Sequence, residues 1–244
     1  MIEHGFLRTK DGERIAYRHF REKGRNGRVA VIAHGFFNCK DSFLLTGLAG
    51  EIFSFMDVFA FDFRGHGESS GLYTWTSREH QDLIAVLDHL RGAYGKIEIV
   101  SFSLGASVSI NVLSRGNFGV ESMVCVSAVC DLRRIDWRPW KIDWENDVMY
   151  AFCSAEGRKG KGARIGPWWL EKPVPLESVS GTRVPVHYIH GDSDPVVGPG
   201  HSAALMERTP AGGELSIIEG GPHAEYLLRK SPGVKDLILG HLNR

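Results

Sequence analysis

The run Ile97-Glu98-Ile99-Val100 leads directly into Ser101-Phe102-Ser103-Leu104-Gly105, and a helical pattern leaves it, with apolar residues at Leu104, Val108, Ile110, Val112 and Leu113. A β-branched strand that turns sharply at a serine and continues as a helix is compatible with few folds. The turn lifts the Ser103 hydroxyl above the sheet edge, the geometry of a nucleophile elbow. Strand and helix nearly touch at such a turn, so small residues are needed two before and two after the serine. Gly105 meets that demand. Ser101 stands where glycine is usual and meets it only by packing without strain. A serine-rich junction with no chemistry would share this local pattern, so the rest of the chain has to decide.

On either side the chain alternates strands with helices. Residues 3 to 20 read as two strands around Lys10-Asp11-Gly12, with Ile15, Tyr17 and His19 alternating against Ala16, Arg18 and Phe20 in the second. Val29 to Ala33 and Asp57 to Phe63 are runs of the kind that strands buried on both faces show. Between them Ser42 to Phe55 spaces Leu44, Leu45, Leu48 and Ile52 by threes and fours, as a helix does. Thr76 and Glu79 have capping-box spacing and predict a helix through Leu83, Val86, Leu87 and Leu90. The helix after Ser103 is expected to reach Arg115, with Gly116 as its stop. Later strands are expected at Glu121 to Val129, Val184 to His190 and Leu215 to Ile218, with helices near His201 to Arg208 and Ala224 to Leu242. This order predicts an α/β fold, a mostly parallel sheet with helices on both faces.

Residues 1–130 and 184–244 supply that core. The stretch 131–183 breaks the alternation and holds five of the six tryptophans. Trp137, Trp140 and Trp144 are spaced to share one helix face, and the stretch is expected to form a small cap over the strand ends. The basic run Gly157-Arg158-Lys159-Gly160-Lys161-Gly162 reads as a solvated loop within it.

Composition removes several classes of function. The 244 residues suffice for one sizeable core, and 29 Lys+Arg against 29 Asp+Glu leave no global field for nucleic acid or an anionic membrane. Met1 to Lys10 has no apolar signal region, and no run approaches the ~18 apolar residues of a membrane span. The cysteines, Cys39, Cys125, Cys130 and Cys153, form no Cys-x-x-Cys pair and no zinc spacing. A cytoplasmic location without disulfides is the expectation. No phosphate-binding glycine loop or metal cluster is present, so neither a cofactor nor a metal is implied.

A serine hydroxyl is a poor nucleophile near neutrality and needs a base, itself oriented by a carboxylate. On a parallel sheet entered at an elbow, the acid and then the histidine follow the serine. His223, in Gly220-Gly221-Pro222-His223, comes after the last expected strand, on the side of the sheet where the elbow lies. Three carboxylates compete for the acid. Asp194 is favoured because the Gly191 turn delivers the chain to it and Pro195 fixes its exit, leaving Asp192 to hydrogen-bond its own turn; Asp131 follows the preceding strand. The developing oxyanion needs donors, the expected ones being the backbone N–H groups of Leu104 and Phe36. His34 and His66 are expected to brace loops. Phe37 joins Trp137, Trp140 and Trp144 as candidate substrate contacts.

The ordered set His34-Gly35-Phe36, Asp62-Phe63-Arg64-Gly65-His66-Gly67-Glu68-Ser69, Ser101-Phe102-Ser103-Leu104-Gly105, His190-Gly191-Asp192-Ser193-Asp194 and Pro222-His223 resembles the α/β-hydrolases. The branch it looks like contains monoacylglycerol lipases, carboxylesterases and serine aminopeptidases. The resemblance implies nucleophile Ser103, acid Asp194, base His223 and an oxyanion hole from Phe36 and Leu104. It departs at Ser101 and in the short, Trp-rich cap. Related dehalogenases and epoxide hydrolases place an aspartate at the elbow, so Ser103 points to acyl transfer. The expected function is hydrolysis of a carboxylic ester of a small apolar, aromatic or acyl substrate. Thioester, amide or carbon–carbon hydrolysis on the same three residues, and a non-catalytic binding protein of this fold, are the alternatives.

Overall fold

A computed structural model describes residues 1–25, 27–135, 163–210 and 212–244. Eight strands form one sheet: β1 (Ile2–Arg8), β2 (Arg14–Phe20), β3 (Arg28–Ala33), β4 (Asp57–Phe61), β5 (Lys96–Phe102), β6 (Val120–Val126), β7 (Val186–Gly191) and β8 (Gly213–Ile218). Their spatial order is β1-β2-β4-β3-β5-β6-β7-β8. Only β2 runs against its neighbours; every pair from β4 to β8 is parallel.

The central strands are buried along nearly their whole length, because helices cover both faces. On one face α2 (His80–Leu90) and α3 (Leu104–Leu113) bury Leu83, Val86, Leu87, Val108 and Ile110 against Val31, Phe61 and Ile99. On the other, α1 (Phe43–Phe53) buries Leu45, Leu48 and Ile52 against Ile32 and Val58. The short helices α4 (Pro175–Ser178) and α5 (Gly200–Met206) follow on the chain, and α6 (Tyr226–Lys230) and α7 (Gly233–Leu242) complete the second face. All ten residues of α3 are buried, so its polar members must find partners inside the protein. Ser107 Oγ donates to Val129 O at 2.8 Å and Ser109 Oγ to Gly105 O at 2.9 Å. Among the described residues no helix is long and apolar enough to cross a membrane.

Three local expectations are corrected. Thr76 does not cap α2: it has φ +75°, and the Glu79 carboxylate instead accepts from Thr74 N at 2.6 Å and from the Thr74 hydroxyl at 3.0 Å. The final helix is two helices. Pro232 cannot continue α6, and Ser231 before it leaves the helical region at φ −132°, ψ 87°. Helix α3 ends at Leu113 rather than Arg115.

Candidate active site

Ser103 joins β5 to α3 with φ 49° and ψ −117°, a conformation that costs a non-glycine residue about 1–3 kcal/mol. The surroundings hold it there. Ser103 N donates to Val126 O at the end of β6 (2.8 Å), and its carbonyl accepts from Ala106 N. The requirement for a small residue two positions on is visible at Gly105: a Cβ there would lie 2.5 Å from His34 O and 2.6 Å from Ala33 O. Two positions back, Ser101 is fully buried in β5 and its hydroxyl donates to Val124 O on β6 at 3.0 Å. The extra atoms at Ser101 are hydrogen-bonded within the sheet.

Ser103, His223 and Asp194 lie in one hydrogen-bonded line. His223 Nδ1 is 2.6 Å from Asp194 Oδ2, and His223 Nε2 is 2.9 Å from Ser103 Oγ. A carboxylate only accepts, so Nδ1 carries the proton and Nε2 is left to accept from the Ser103 hydroxyl. Asp194 sits just after β7, where its Oδ1 accepts from Val196 N (2.9 Å) and Val197 N (2.8 Å). Burial pushes the Asp194 carboxyl up, but His223, His190 and the Val197 N–H together outweigh it and hold the group well below the usual carboxylate range.

The competing carboxylates do other things. Asp192 Oδ1 accepts from Gly220 N at 2.8 Å, so it ties the loop after β7 to the loop after β8 rather than closing its own turn. Asp131 caps a short 3-10 turn by accepting from Arg133 N and pairs with the Arg133 guanidinium. His34 braces: its Nδ1 lies 2.7 Å from Gly35 O, and its Nε2 accepts from Phe63 N at 3.1 Å. His66 Nδ1 likewise meets Arg64 O at 3.1 Å.

Phe36 follows β3 on the loop facing Ser103. Among the described residues neither Phe36 N nor Leu104 N donates to a protein acceptor. Two residues that the sequence reading missed hold this frame. Glu225, buried two residues after His223, accepts from Gly35 N at 2.7 Å and so pins the Phe36 loop to the His223 loop. Ser127, at the end of β6, accepts from Ala224 N at 2.9 Å and fixes Ala224 at φ +47° directly behind His223. Nothing local in the sequence marks Glu225 for this role, since its partner is 190 residues away.

Over the strand ends lies a separate apolar cluster of Tyr73, Leu104, Val129, Ile135 and Val197, with Phe36 and Trp75 packed against it. The Phe36 ring lies 5.2 Å from that of Tyr73, 5.0 Å from that of Trp75 and 4.0 Å from that of Phe37. Tyr73 and Trp75 were not anticipated, and Trp75 is the one tryptophan outside the 131–183 stretch. The returning end of that stretch is tied to them: Tyr73 N donates to Arg164 O and Gly166 N to Tyr73 O, both at 2.8 Å. Trp137, Trp140 and Trp144 lie outside the described residues. Trp168 and Trp169 pack edge to face on each other and stay exposed.

A sequence model described as the alpha/beta hydrolase family matches residues 30–232, which include the elbow, Asp194 and His223. The chain belongs to that family. Among solved alpha/beta hydrolase structures, it resembles the Pyrococcus furiosus esterase Pf2001 at a TM-score of 0.78 and 20% identity, covering 100% of this chain and 92% of that one. A thermophilic esterase from Thermogutta terrifontis gives 0.73 and 17%, covering 99% and 98%. Est816, an N-acyl homoserine lactone degrading enzyme, gives 0.74 and 19%, covering 97% and 99%. At such identities the likeness is one of fold. No curated protein matches this hydrolase by sequence.

Proposed function

We propose that this alpha/beta hydrolase is a serine esterase that cleaves a carboxylic ester through an acyl-enzyme. The observation that carries the reading is the unbroken line from Ser103 Oγ through His223 to Asp194, with Ser103 held at a strained elbow. His223 Nε2 takes the Ser103 proton as Oγ attacks the carbonyl carbon, and Asp194 stabilises the imidazolium that forms. The N–H groups of Phe36 and Leu104 receive the charge that develops on the carbonyl oxygen. His223 then gives its proton to the departing alkoxide. In the second half it deprotonates a water, which attacks the acyl carbon and releases Ser103 with its proton.

The aromatic wall of Phe36, Phe37, Tyr73 and Trp75 supports a small apolar or aromatic acyl group, since such rings bury large areas when a ligand covers them. The esterase and lactone-degrading relatives support ester rather than amide cleavage. In this reading the described returning part of the 131–183 stretch reaches the site through Arg164 and Gly166 at Tyr73, while Val179 near its end packs in the main core. The free, buried thiols of Cys39, Cys125 and Cys130 fit a reducing compartment such as the cytoplasm.

A fluorophosphonate probe and a p-nitrophenyl ester series test the proposal. Wild-type protein labels and turns over medium-chain or aromatic esters, and Ser103→Ala does neither. Labelling that survives Ser103→Ala overturns the assignment of the nucleophile. Equal rates from acetate to decanoate overturn the apolar acyl preference.

A further inference from the structure

Asp194 has a second imidazole on it. His190, the penultimate residue of β7, is completely buried, and its Nε2 lies 3.3 Å from Asp194 Oδ2, the same oxygen that meets His223. The protonation of that nitrogen follows from its other neighbour. His190 Nε2 is 2.7 Å from Val197 O, and a carbonyl can only accept, so Nε2 carries a hydrogen. That N–H is directed at Val197 O, with Asp194 Oδ2 beside it at 3.3 Å from the same nitrogen. On the far side of the ring, Nδ1 lies 2.7 Å from Ser202 Oγ, which is itself fully buried at the start of α5. The line of polar groups therefore extends beyond the three proposed catalytic residues, from Ser202 through His190 to Asp194.

We propose that His190 is a positioning residue, which orients Asp194 and draws charge from the oxygen that faces His223. The proposal rests on the reading of Ser103, His223 and Asp194 as a catalytic set. Its physical content is a competition for one oxygen. With the His190 N–H dipole beside it, the charge of Oδ2 is divided between His223 and His190. Without it, the full charge of Oδ2 falls on His223, which then holds its proton more tightly and is a poorer base near neutrality. Val196 N and Val197 N bind the other oxygen and are unaffected. Among the described residues the further titratable group that bears on this pair is His201 on α5, whose Nδ1 accepts from Cys130 N and which itself faces Arg134. Glu225, beyond His223, is committed to Gly35. None of these replaces a donor lost from Oδ2.

The test is a set of pH–rate profiles of kcat/KM on a p-nitrophenyl ester, for wild type, His190→Phe, His190→Gln and Ser202→Ala. Phe keeps the ring volume and removes the donor, while Gln keeps an N–H near the Nε2 position. His190→Phe raises the apparent pKa of the acid limb by about 0.5–1 unit and, from an ordinary histidine value of about 6.5, lowers kcat at pH 7 about 1.5- to 3-fold, with KM nearly unchanged. His190→Gln restores both toward wild type. Ser202→Ala, which never touches Asp194, moves the acid limb the same way by a smaller amount and carries the test if the Phe variant does not fold. The low-field proton resonance between His223 and Asp194 provides a readout independent of turnover, and it shifts in His190→Phe. An unmoved acid limb and an unmoved resonance overturn the proposal, as does a Gln variant no better than Phe. Activity that survives Ser103→Ala overturns the catalytic set itself. Loss of activity in Ser103→Ala alongside a flat His190 series overturns the role of His190 alone.

Discussion

Ser101→Gly restores the residue usual two positions before the elbow serine, and the structure says that this should weaken the protein without speeding it up. The Ser101 side chain is fully buried and donates to Val124 O at 3.0 Å, so its removal forfeits one buried hydrogen bond, about 0.5–1.5 kcal/mol. Glycine within a strand adds about 0.5–1 kcal/mol of backbone entropy. The sum, about 1–2.5 kcal/mol, converts to a fall in Tm of about 2–10 °C for a chain of this size. Ser101→Ala separates the two parts, because it loses the hydroxyl and keeps the Cβ. Catalysis is expected to change little: the approach that limits the elbow is on the Gly105 side, against His34 O and Ala33 O, and nothing at Ser101 strains it. The assays are thermal unfolding by circular dichroism and kcat/KM on one p-nitrophenyl ester for all three proteins. A kcat/KM for Ser101→Gly about tenfold above wild type, equivalent to about 1.4 kcal/mol of relieved barrier, would refute the reasoning. So would a Tm that rises.

Three further outcomes are expected. Gly105→Ala forces its methyl into two backbone carbonyls and should cost about 1–3 kcal/mol, with a larger loss of activity than of stability because Leu104 moves with the helix; wild-type behaviour in melting and turnover would contradict it. Glu225→Ala leaves the Gly35 N–H unpaired at a cost of about 1–3 kcal/mol and releases the Phe36 loop, so kcat should fall more than KM changes; a variant that melts early yet retains full kcat would separate Glu225 from the oxyanion geometry. His19 and His241 are buried, and burial pushes each imidazole down to about 4, whereas the unfolded chain titrates near about 6.5. The unfolded state therefore binds more protons between these values, and stability should drop as pH falls from 6.5 toward 4, by up to about 1.4 kcal/mol per unit for each histidine. A Tm that does not vary with pH across that window, or a slope left unchanged by His241→Leu, would contradict this.

The fold was legible because a doubly covered parallel sheet writes itself as short apolar runs separated by amphipathic helices. Val29 to Ala33 are all buried, as their uninterrupted apolar character predicts. The same logic brought Ser103, Asp194 and His223 to one end of the sheet before any distance was known, since each follows a strand at its carboxyl end. What the sequence hid were contacts set by backbone conformation or by long separation. Thr76 has the spacing of a cap, but a left-handed φ turns it away and Thr74 meets Glu79 instead. Pro232 was in plain view, yet the apolar spacing of Leu227, Leu228, Val234 and Ile238 continues across it and reads as one helix. The pairing of Glu225 with Gly35 and of Ser127 with Ala224 leaves no local signature.

Those hidden contacts also explain where the strain resides. Among the described residues, Phe37, Trp75, Thr76, Ser103, Ser127 and Ala224 adopt positive φ without being glycine, and all six lie on loops leaving the carboxyl ends of strands; Phe118, before β6, is the exception. Each such residue costs about 1–3 kcal/mol and persists only where its neighbours over-determine it. Three of them are stitched to the sheet and to one another: Ser103 N donates to Val126 O, Ser127 N to Ile189 O, and Ala224 N to Ser127 Oγ. The buried parallel strands β5, β6 and β7 thus supply the rigidity, and their ends spend it on holding Ser103 and the residue after His223 in conformations that neither would adopt alone. Loosening that stitching at Ser127 should therefore displace His223 from Ser103 before it unfolds the sheet, because the strain is local and the packing beneath it is not.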